Sequence, residues 1–477
     1  MATHVFRTSD VRKPLMVCAF FVTPIMLSGA SHYVRSDAAG TGSGADWANA
    51  CPDFTGVCAP SSMVRGDTYY VADGVYAARR FNTPTSGSNV ITIKKATILD
   101  HGTNIGWSNT LGDGSAVFTG SVYFVSDHWI LDGQQRSSLT AGHGFKIDKQ
   151  TAPDSSAGIF IGDPYLGKGG TAANNVTLQY FEVAGSGDRS DPKLFIDHGL
   201  QAALQNSQRD LTIRYFYVHD SGGVGLKLEN LTNVVIEHGY ITRNHSTPAS
   251  HSEGIAARSI HAFTTRYCMF VDIEGTAHLT TPGGSDGVGS NWSIYGNVFA
   301  RTPGNPYGIA RVGNGAVYFL ATQISGDVYV VNNTIVNMNN GLDGAGPGTI
   351  ALNRTGNQLG RVYVVNNLWF KSDYVYSTCD SCEYFAWKSN SYYQTPGAVD
   401  PDPTKEVSPV DPFVNSSSGN YRLSVPTAAG TQLVSPFHLD PIGRLRGGDG
   451  AWDRGAYEYV VQSQTVGAPT GLAASSR

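Results

Sequence analysis

At 477 residues the chain exceeds the size at which a single globular core usually stops growing, so it needs several domains or an architecture that extends in one dimension. Its net charge of −5, with 15% charged residues, gives no reason to expect nucleic-acid binding, which would call for a basic stripe. Abundant Gly (56) and an excess of Tyr (24) and Phe (20) over Met (6) suit a large exported β protein.

Residues 1–30 read as a secretory signal. Arg7, Arg12 and Lys13 precede an apolar run over 14–27, and Ser28-Gly29-Ala30 offers a small-x-small cleavage site. The run is shorter than the roughly 20 apolar residues a membrane span needs. The product is therefore expected outside the cell or in the periplasm, with no span left once the signal is removed. Of the six cysteines, Cys18 leaves with the signal. Cys51 and Cys58 form one close pair and Cys379 and Cys382 another, as local disulfides of an exported protein would. Half a zinc site or a redox dithiol is the alternative for Cys379-x-x-Cys382, and neither the second half nor a thioredoxin-like context accompanies it. Cys268 is expected to be a buried, unpaired thiol.

Residues 31–66 read as a cap, with Asp46 as N-cap of a short helix over 46–50. From Tyr69 onward strands take over: DTYYVADGVY, NVITIKKATI, AVFTGSVYFV and HWILDGQ are early coils of less regular spacing, followed by GIFIG within 142–170.

The clearest signal begins at Asn174. Seven copies of one pattern follow: NNVTLQYFEV, RDLTIRYFYV, TNVVIEHGYI, HAFTTRYCMF, SNWSIYGNVF, GDVYVVNNTI and GRVYVVNNLW. Aligned on Val176, Leu211, Val234, Phe263, Trp292, Val328 and Val362, they lie 35, 23, 29, 29, 36 and 34 residues apart. Each alternates apolar and polar residues, bends, and resumes with β-branched or aromatic residues. Without crossover helices between the copies, the pattern predicts a parallel β-helix in which each copy is part of one coil. Five positions after each alignment point come Phe181, Phe216, Gly239, Cys268, Asn297, Asn333 and Asn367, expected to stack at the bend as an aromatic stack giving way to an Asn ladder. Nine positions after it come Gly185, Asp220, Arg243, Asp272, Arg301, Asn337 and Lys371. Their alternating signs from Asp220 to Arg301 predict an inter-coil salt-bridge ladder, with a substrate-facing charge line as the alternative.

Beyond 377 the repeat loosens. Residues 396–412 read as a Pro- and Asp-rich surface connection, 413–459 as a segment closing the C-terminal end, and 460–477 as a flexible tail. The division expected is 1–30 signal, 31–66 cap, 67–395 β-helix, 396–459 closing segment and 460–477 tail.

The coils, the opening segment HYVRSDAAGTGSGADWANAC (His32 to Cys51) with RGDTYYVADGVY (Arg65 to Tyr76), and the closing DRGAYEY (Asp453 to Tyr459) resemble secreted bacterial proteins of the pectate-lyase-like superfamily. The resemblance covers most of the mature chain. It implies an all-β, right-handed parallel β-helix, with a short N-terminal cap and a C-terminal closing segment. Activity stays open, because this architecture hosts lyases, hydrolases, epimerases, esterases and adhesins.

No HExxH, GxSxG, phosphate loop or EF-hand loop is present. Chemistry must then be sought in columns of residues stacked about 4.8 Å apart on successive coils. GVGLKLEN, HSEGIAARS, GTAHLTT, GAVYFLA and GTIALNR read as equivalent strands. With Leu226, Leu228, Ile255, Ala257, Ala277 and Leu279 inward, the pleat turns Lys227, Glu229, Ala256, Arg258, His278, Thr280, Tyr318 and Asn353 outward. His251 and Glu253 stand at the start of the same strand. This face is the expected glycan cleft. Lys227 and Arg258 would bind uronate carboxylates, Tyr318 would stack on a sugar ring, and Glu229 and Asn353 would add polar contacts. The leading expectation is a lyase acting on an extracellular acidic polysaccharide. His278, Lys227 or Arg258 would serve as base, with His251 and Glu253 among the catalytic candidates. A glycoside hydrolase, using carboxylates such as Glu229 and Glu253, is the second reading. A non-catalytic glycan-binding protein is the rival from another class. The competing account of each residue is an ordinary solvated position on an exposed sheet. Hard oxygen ligands for calcium occur over 280–291 and 400–411, in neither case with a recognisable ligand spacing. The metal is unassigned, and the sugar and oligomeric state are not legible.

Overall fold

The computed structural model describes residues 29–150, 156–163, 171–185, 200–245, 252–281, 287–303, 315–320, 322–338, 349–353, 355–373, 375–395 and 399–460, without the side chains of 203–206. Residues 1–28 of the expected signal, the 460–477 tail beyond its first residue, and His251 lie outside them. No α-helix occurs among the described residues. The secondary structure is parallel strands with a few single 3₁₀ turns, and one antiparallel pair at 413–423.

Parallel pairing begins at Ser31–Arg35, which joins Thr68–Val71, and runs on to Glu406–Ser408, which joins Ser391–Tyr393. The chain coils through three faces. The first holds Val176–Gln179 and the later halves of Leu200–Arg214, Leu226–Glu237 and Ile255–Arg266. The second holds short strands: Phe145–Asp148, Phe181–Ala184, Tyr217–His219, Tyr240–Thr242, Met269–Val271 and Val298–Ala300. The third holds the earlier halves of the three long strands, then Ala277–Thr281, Gly315–Phe319 and Ile350–Ala351.

The register is the one the repeat predicts. Val176 pairs with Leu211, Leu211 with Val234, Val234 with Phe263, Phe263 with Trp292, Trp292 with Val328, and Val328 with Val362. The physical cause is the period-2 pattern. A one-residue slip would turn an entire apolar column to solvent, so burial holds each copy over the last. Val176, Leu178, Leu211, Ile213, Val234 and Ile236 are all buried in one continuous core that also takes Trp129, Trp292 and Trp369.

The first bend uses two adjacent columns of residues. The left-handed residue is the one before the predicted column: Tyr180, Tyr215, His238, Tyr267, Asn332 and Asn366 have φ of 53–59°. The predicted column itself points inward. Phe181 stacks on Phe216 at 5.8 Å. Further along, Asn297 donates its backbone N–H and its amide to Asn333 Oδ1 at 3.0 and 3.1 Å, Asn333 does the same to Asn367, and Asn390 extends the series. Such buried amides satisfy turn backbone that water cannot reach. The left-handed residues form an outer stack, Tyr180 on Tyr215 at 4.7 Å and Tyr215 on His238 at 4.9 Å. Their ring faces are thereby used on one another.

The expected capping helix at 46–50 is absent. Asp46 instead caps a turn, accepting the Asn49 N–H at 2.8 Å. Disulfides join Cys51 to Cys58 and Cys379 to Cys382, and Cys268 is free and buried, as expected.

Candidate active face

Two charged regions flank the corner between the second and third faces. On the second face the outward residues of successive coils form a linked chain. Glu182 Oε1 lies 3.3 Å from both Lys146 Nζ and His219 Nε2. His219 Nδ1 lies 2.6 Å from Asp220 Oδ2, and Arg243 grips Asp220 through Nε and Nη2, each at 2.7 Å. Arg243 Nη2 also donates to Tyr217 OH at 3.1 Å. For Asp220, burial works against ionisation, but hydrogen bonds from Arg243 and His219 outweigh it and hold the carboxyl well below the usual range. Burial likewise opposes the charge on His219, and its bonds to Asp220 and Glu182 raise its pKa nevertheless. The predicted ladder is thus present between Asp220 and Arg243. It then changes character at Asp272, whose oxygens accept from the Thr302 backbone and hydroxyl at 2.7 and 2.9 Å.

The corner itself is polar and buried. His245 Nδ1 approaches Glu274 Oε1 at 3.6 Å, with both side chains almost inaccessible. The Ser252 hydroxyl donates to the His245 carbonyl, and the Asn244 amide donates to the Glu253 carbonyl at 3.0 Å. Glu253 is 6% exposed, so it belongs to this corner rather than to an open surface. Sequence reasoning missed His245 and Glu274 as a pair, because 29 residues and one full coil separate them.

On the third face Lys227 and Glu229 lie two residues apart on one strand, half-buried between inward Leu226 and Leu228. Glu229 is in register with Arg258 on the next coil, and Lys227 with Ala256. Among the described residues no hydrogen bond or ion pair engages the side chain of Lys227 or Glu229, whereas Arg258 has a partner. Ala256 is small and 5% exposed, giving the sheet a low floor between Lys227 and Thr280.

Three other expected members of this face are placed differently. His278 is turned into the core, 6.2 Å from Phe299 and 1% exposed. Burial, reinforced by the charge of Arg301 and only weakly opposed by a backbone group of Phe270, pushes its pKa down to about 3. The strict alternation assumed for GTAHLTT fails here. Ala277 pairs with Gly315 and Leu279 with Val317, and the interposed His278 and Ala316 face inward next to inward Leu279 and Val317. Ala277, expected inward, sits in a separate small cluster with Tyr318 and Ala351. Tyr318 is also no open stacking platform. It is 1% exposed, and its ring lies so close over Gly315 that a Cβ there would meet it at 1.8 Å. Asn353 is exposed, but its amide donates to Asp380 Oδ2 at 2.7 Å beside the Cys379–Cys382 loop.

In the acidic stretch 400–411 the carboxylates accept hydrogen bonds from the protein itself. Asp400 Oδ2 accepts from Tyr392 OH at 2.6 Å and Trp387 Nε1 at 3.2 Å, Asp402 Oδ2 caps Ser389 N–H at 2.6 Å, and Asp411 Oδ1 caps Phe413 N–H at 3.0 Å. Among the described residues no group of three His, Cys, Asp or Glu is placed to hold a metal ion.

No protein-family model matches the sequence, and no curated protein matches it. Thirteen solved chains match its structure. The pectate lyase Pel9A is 15% identical, with TM-score 0.48 over 90% of this chain and 96% of that one. The PL6 family polysaccharide lyase Pedsa3628 from Pseudopedobacter saltans is 11% identical, with TM-score 0.39 over 79% and 95%. The PL6 family alginate lyase AlyGC is 12% identical, with TM-score 0.36 over 73% and 51%. Likeness at this level carries no argument about chemistry, and the fold rests on the strand pairing itself. By that pairing the chain is a parallel β-helix protein.

Proposed function

We propose that the protein is an exported polysaccharide lyase that cleaves a uronate-containing glycan by β-elimination on the third face. The observation that supports this most is Lys227 with Glu229: two half-buried ionisable side chains, two residues apart, without partners among the described residues. Half-buried charges are normally paired, as those of the second face are, and an unpaired set beside a cation is the arrangement a charged ligand completes. Arg258 neutralises the uronate carboxylate, which acidifies the C5 proton. Lys227 takes that proton, the C4–O bond breaks, and the electron pair forms the C4–C5 double bond. The leaving oxygen receives the proton from the lysine just protonated, while Glu229 orients the sugar hydroxyls. His278 has no part in this step, since its orientation and burial keep it from the reacting carbon.

Both disulfides support an oxidising compartment. No described helix is long and apolar enough to cross a membrane. The test incubates the secreted protein with pectate, alginate and glucuronan, with calcium or with chelator, and follows ultraviolet absorbance of the unsaturated product beside a reducing-end assay. Absorbance that rises, and disappears in Lys227→Ala, is the expected result. New reducing ends without absorbance would replace elimination by hydrolysis. Silence in both assays would leave the binding reading in its place.

A further inference from the structure

The second face carries a feature that the elimination chemistry does not use. Past the charged chain, its outward residues become Tyr240 and then Met269 and Val271 on the next coil. There the C-terminal hairpin Phe413–Asn415 and Asn420–Leu423 and the loop around Leu139 border an open cleft of about 560 Å³. That volume lies in the range of small-ligand sites and suits a sugar unit or two. Tyr240, Met269 and Tyr421 supply an apolar lining, while Thr302, Ser416 and Ser417 supply hydroxyls from two separate parts of the chain.

The lining has a definite chemical bias. No Asp, Glu, Lys, Arg or His lines the cleft among the described residues. The hydroxyls donate inside the protein: Thr302 Oγ1 to Asp272 Oδ2 at 2.9 Å, Ser416 Oγ to Asp411 Oδ2 at 2.5 Å, and Ser417 Oγ to Asn415 Oδ1 at 2.8 Å. A hydroxyl that has committed its proton keeps lone pairs to accept with. At these three positions the rim presents acceptors, while Ser138, whose Oγ accepts the Thr140 N–H, keeps a proton to donate. With no charged group, it suits a neutral polyol and disfavours a carboxylate, phosphate or sulfate, which brings a charge to desolvate. Aromatic and thioether surface beneath such a rim matches the apolar C–H face of a sugar ring.

We infer that this cleft is a second glycan-binding site, specific for a neutral hexose or pentose unit, on a different face from the uronate-binding residues. It does not depend on the elimination reading, because its ligand carries no carboxylate and its lining contains no proposed catalytic group.

The experiment is calorimetric titration of the full chain with neutral gluco-, manno-, galacto- and xylo-oligosaccharides, and with oligogalacturonate as the charged comparison. Ser417→Trp fills the cleft from an exposed position, and Thr302→Val removes one acceptor while keeping the shape. Thermal melts report whether each variant is folded. The result expected is that at least one neutral oligosaccharide binds and that Ser417→Trp weakens it by about tenfold or more. Thr302→Val should weaken it by a smaller factor, and Lys227→Ala should bind like the parent even where turnover is lost. The inference is overturned if no neutral oligosaccharide binds or if binding survives Ser417→Trp. Loss of binding in Lys227→Ala would overturn it too, since that would place the sugar on the third face. Competition by oligogalacturonate for the Ser417-dependent site would do the same.

Discussion

The second and third faces both carry acidic and basic residues on successive coils, and they use them in opposite ways. On the second face Lys146, Glu182, His219, Asp220 and Arg243 satisfy one another across four coils. On the third, Lys227 and Glu229 face outward with no such partners among the described residues. Stacking brings side chains of neighbouring coils within reach, so a charged column closes on itself unless its spacing prevents it. Ala256 prevents it for Lys227, since it has nothing to offer that side chain, and Arg258, in register with Glu229, has a partner of its own. The lesson is that the two faces differ in whether charge is paired rather than in how much charge they carry.

That contrast can be broken by substitution on either face. Lys227→Ala should lower the elimination rate between about 100- and 10,000-fold, with the melting temperature unchanged, as steady-state absorbance assays and calorimetry would show. Equal loss of activity and stability would mean that Lys227 is structural after all. Asp220→Asn should do the reverse. It weakens the two-pronged grip of Arg243 and the bond to His219, so about 2–3 kcal/mol of stability should go, with kcat retained in the folded protein. Denaturant titration beside kinetics checks this.

The pH dependence sharpens the same comparison. Asp220 is held below its ordinary value, so its contribution is present above about pH 4 and is lost as pH falls through the lower folded value. His219 is raised, so its contribution is complete below about pH 6.5 and is lost as pH rises through its folded value. Glu458 is pushed up to about 7 by burial, so its carboxyl favours the folded state below about pH 4.5, and that advantage is lost as pH rises through 7. Stability measured against pH should therefore decline on both sides of a mildly acidic maximum, and Asp220→Asn should flatten the acid limb. The smallest effect belongs to Asn353→Ala. Its amide is tied to Asp380 and the disulfide loop, so activity should change by less than about twofold.

The Asn ladder and the apolar columns were legible because each depends on a short local pattern repeated. Val176 through Val362 could be aligned by eye and are aligned in space. His278 was misplaced because two inward residues in a row, 278 and 279, defeat the alternation rule, and nothing in GTAHLTT announces that break. Tyr318 was misread for a related reason: Gly315, three residues away, leaves the space its ring occupies. The His245–Glu274 pair was invisible because its members meet only when one coil stacks on another.

By itself the sequence determined the fold class, the coil register and the two disulfides, since period-2 burial and close cysteine spacing are properties of neighbours along the chain. Only the tertiary structure decided which charges are spent on one another, which way His278 points, and that a cleft forms where 413–423 closes over Tyr240 and Met269. Those outcomes depend on residues as many as about 280 positions apart coming together. Their geometry is set by how coils and closing segment pack together, and no local pattern of residues carries that information.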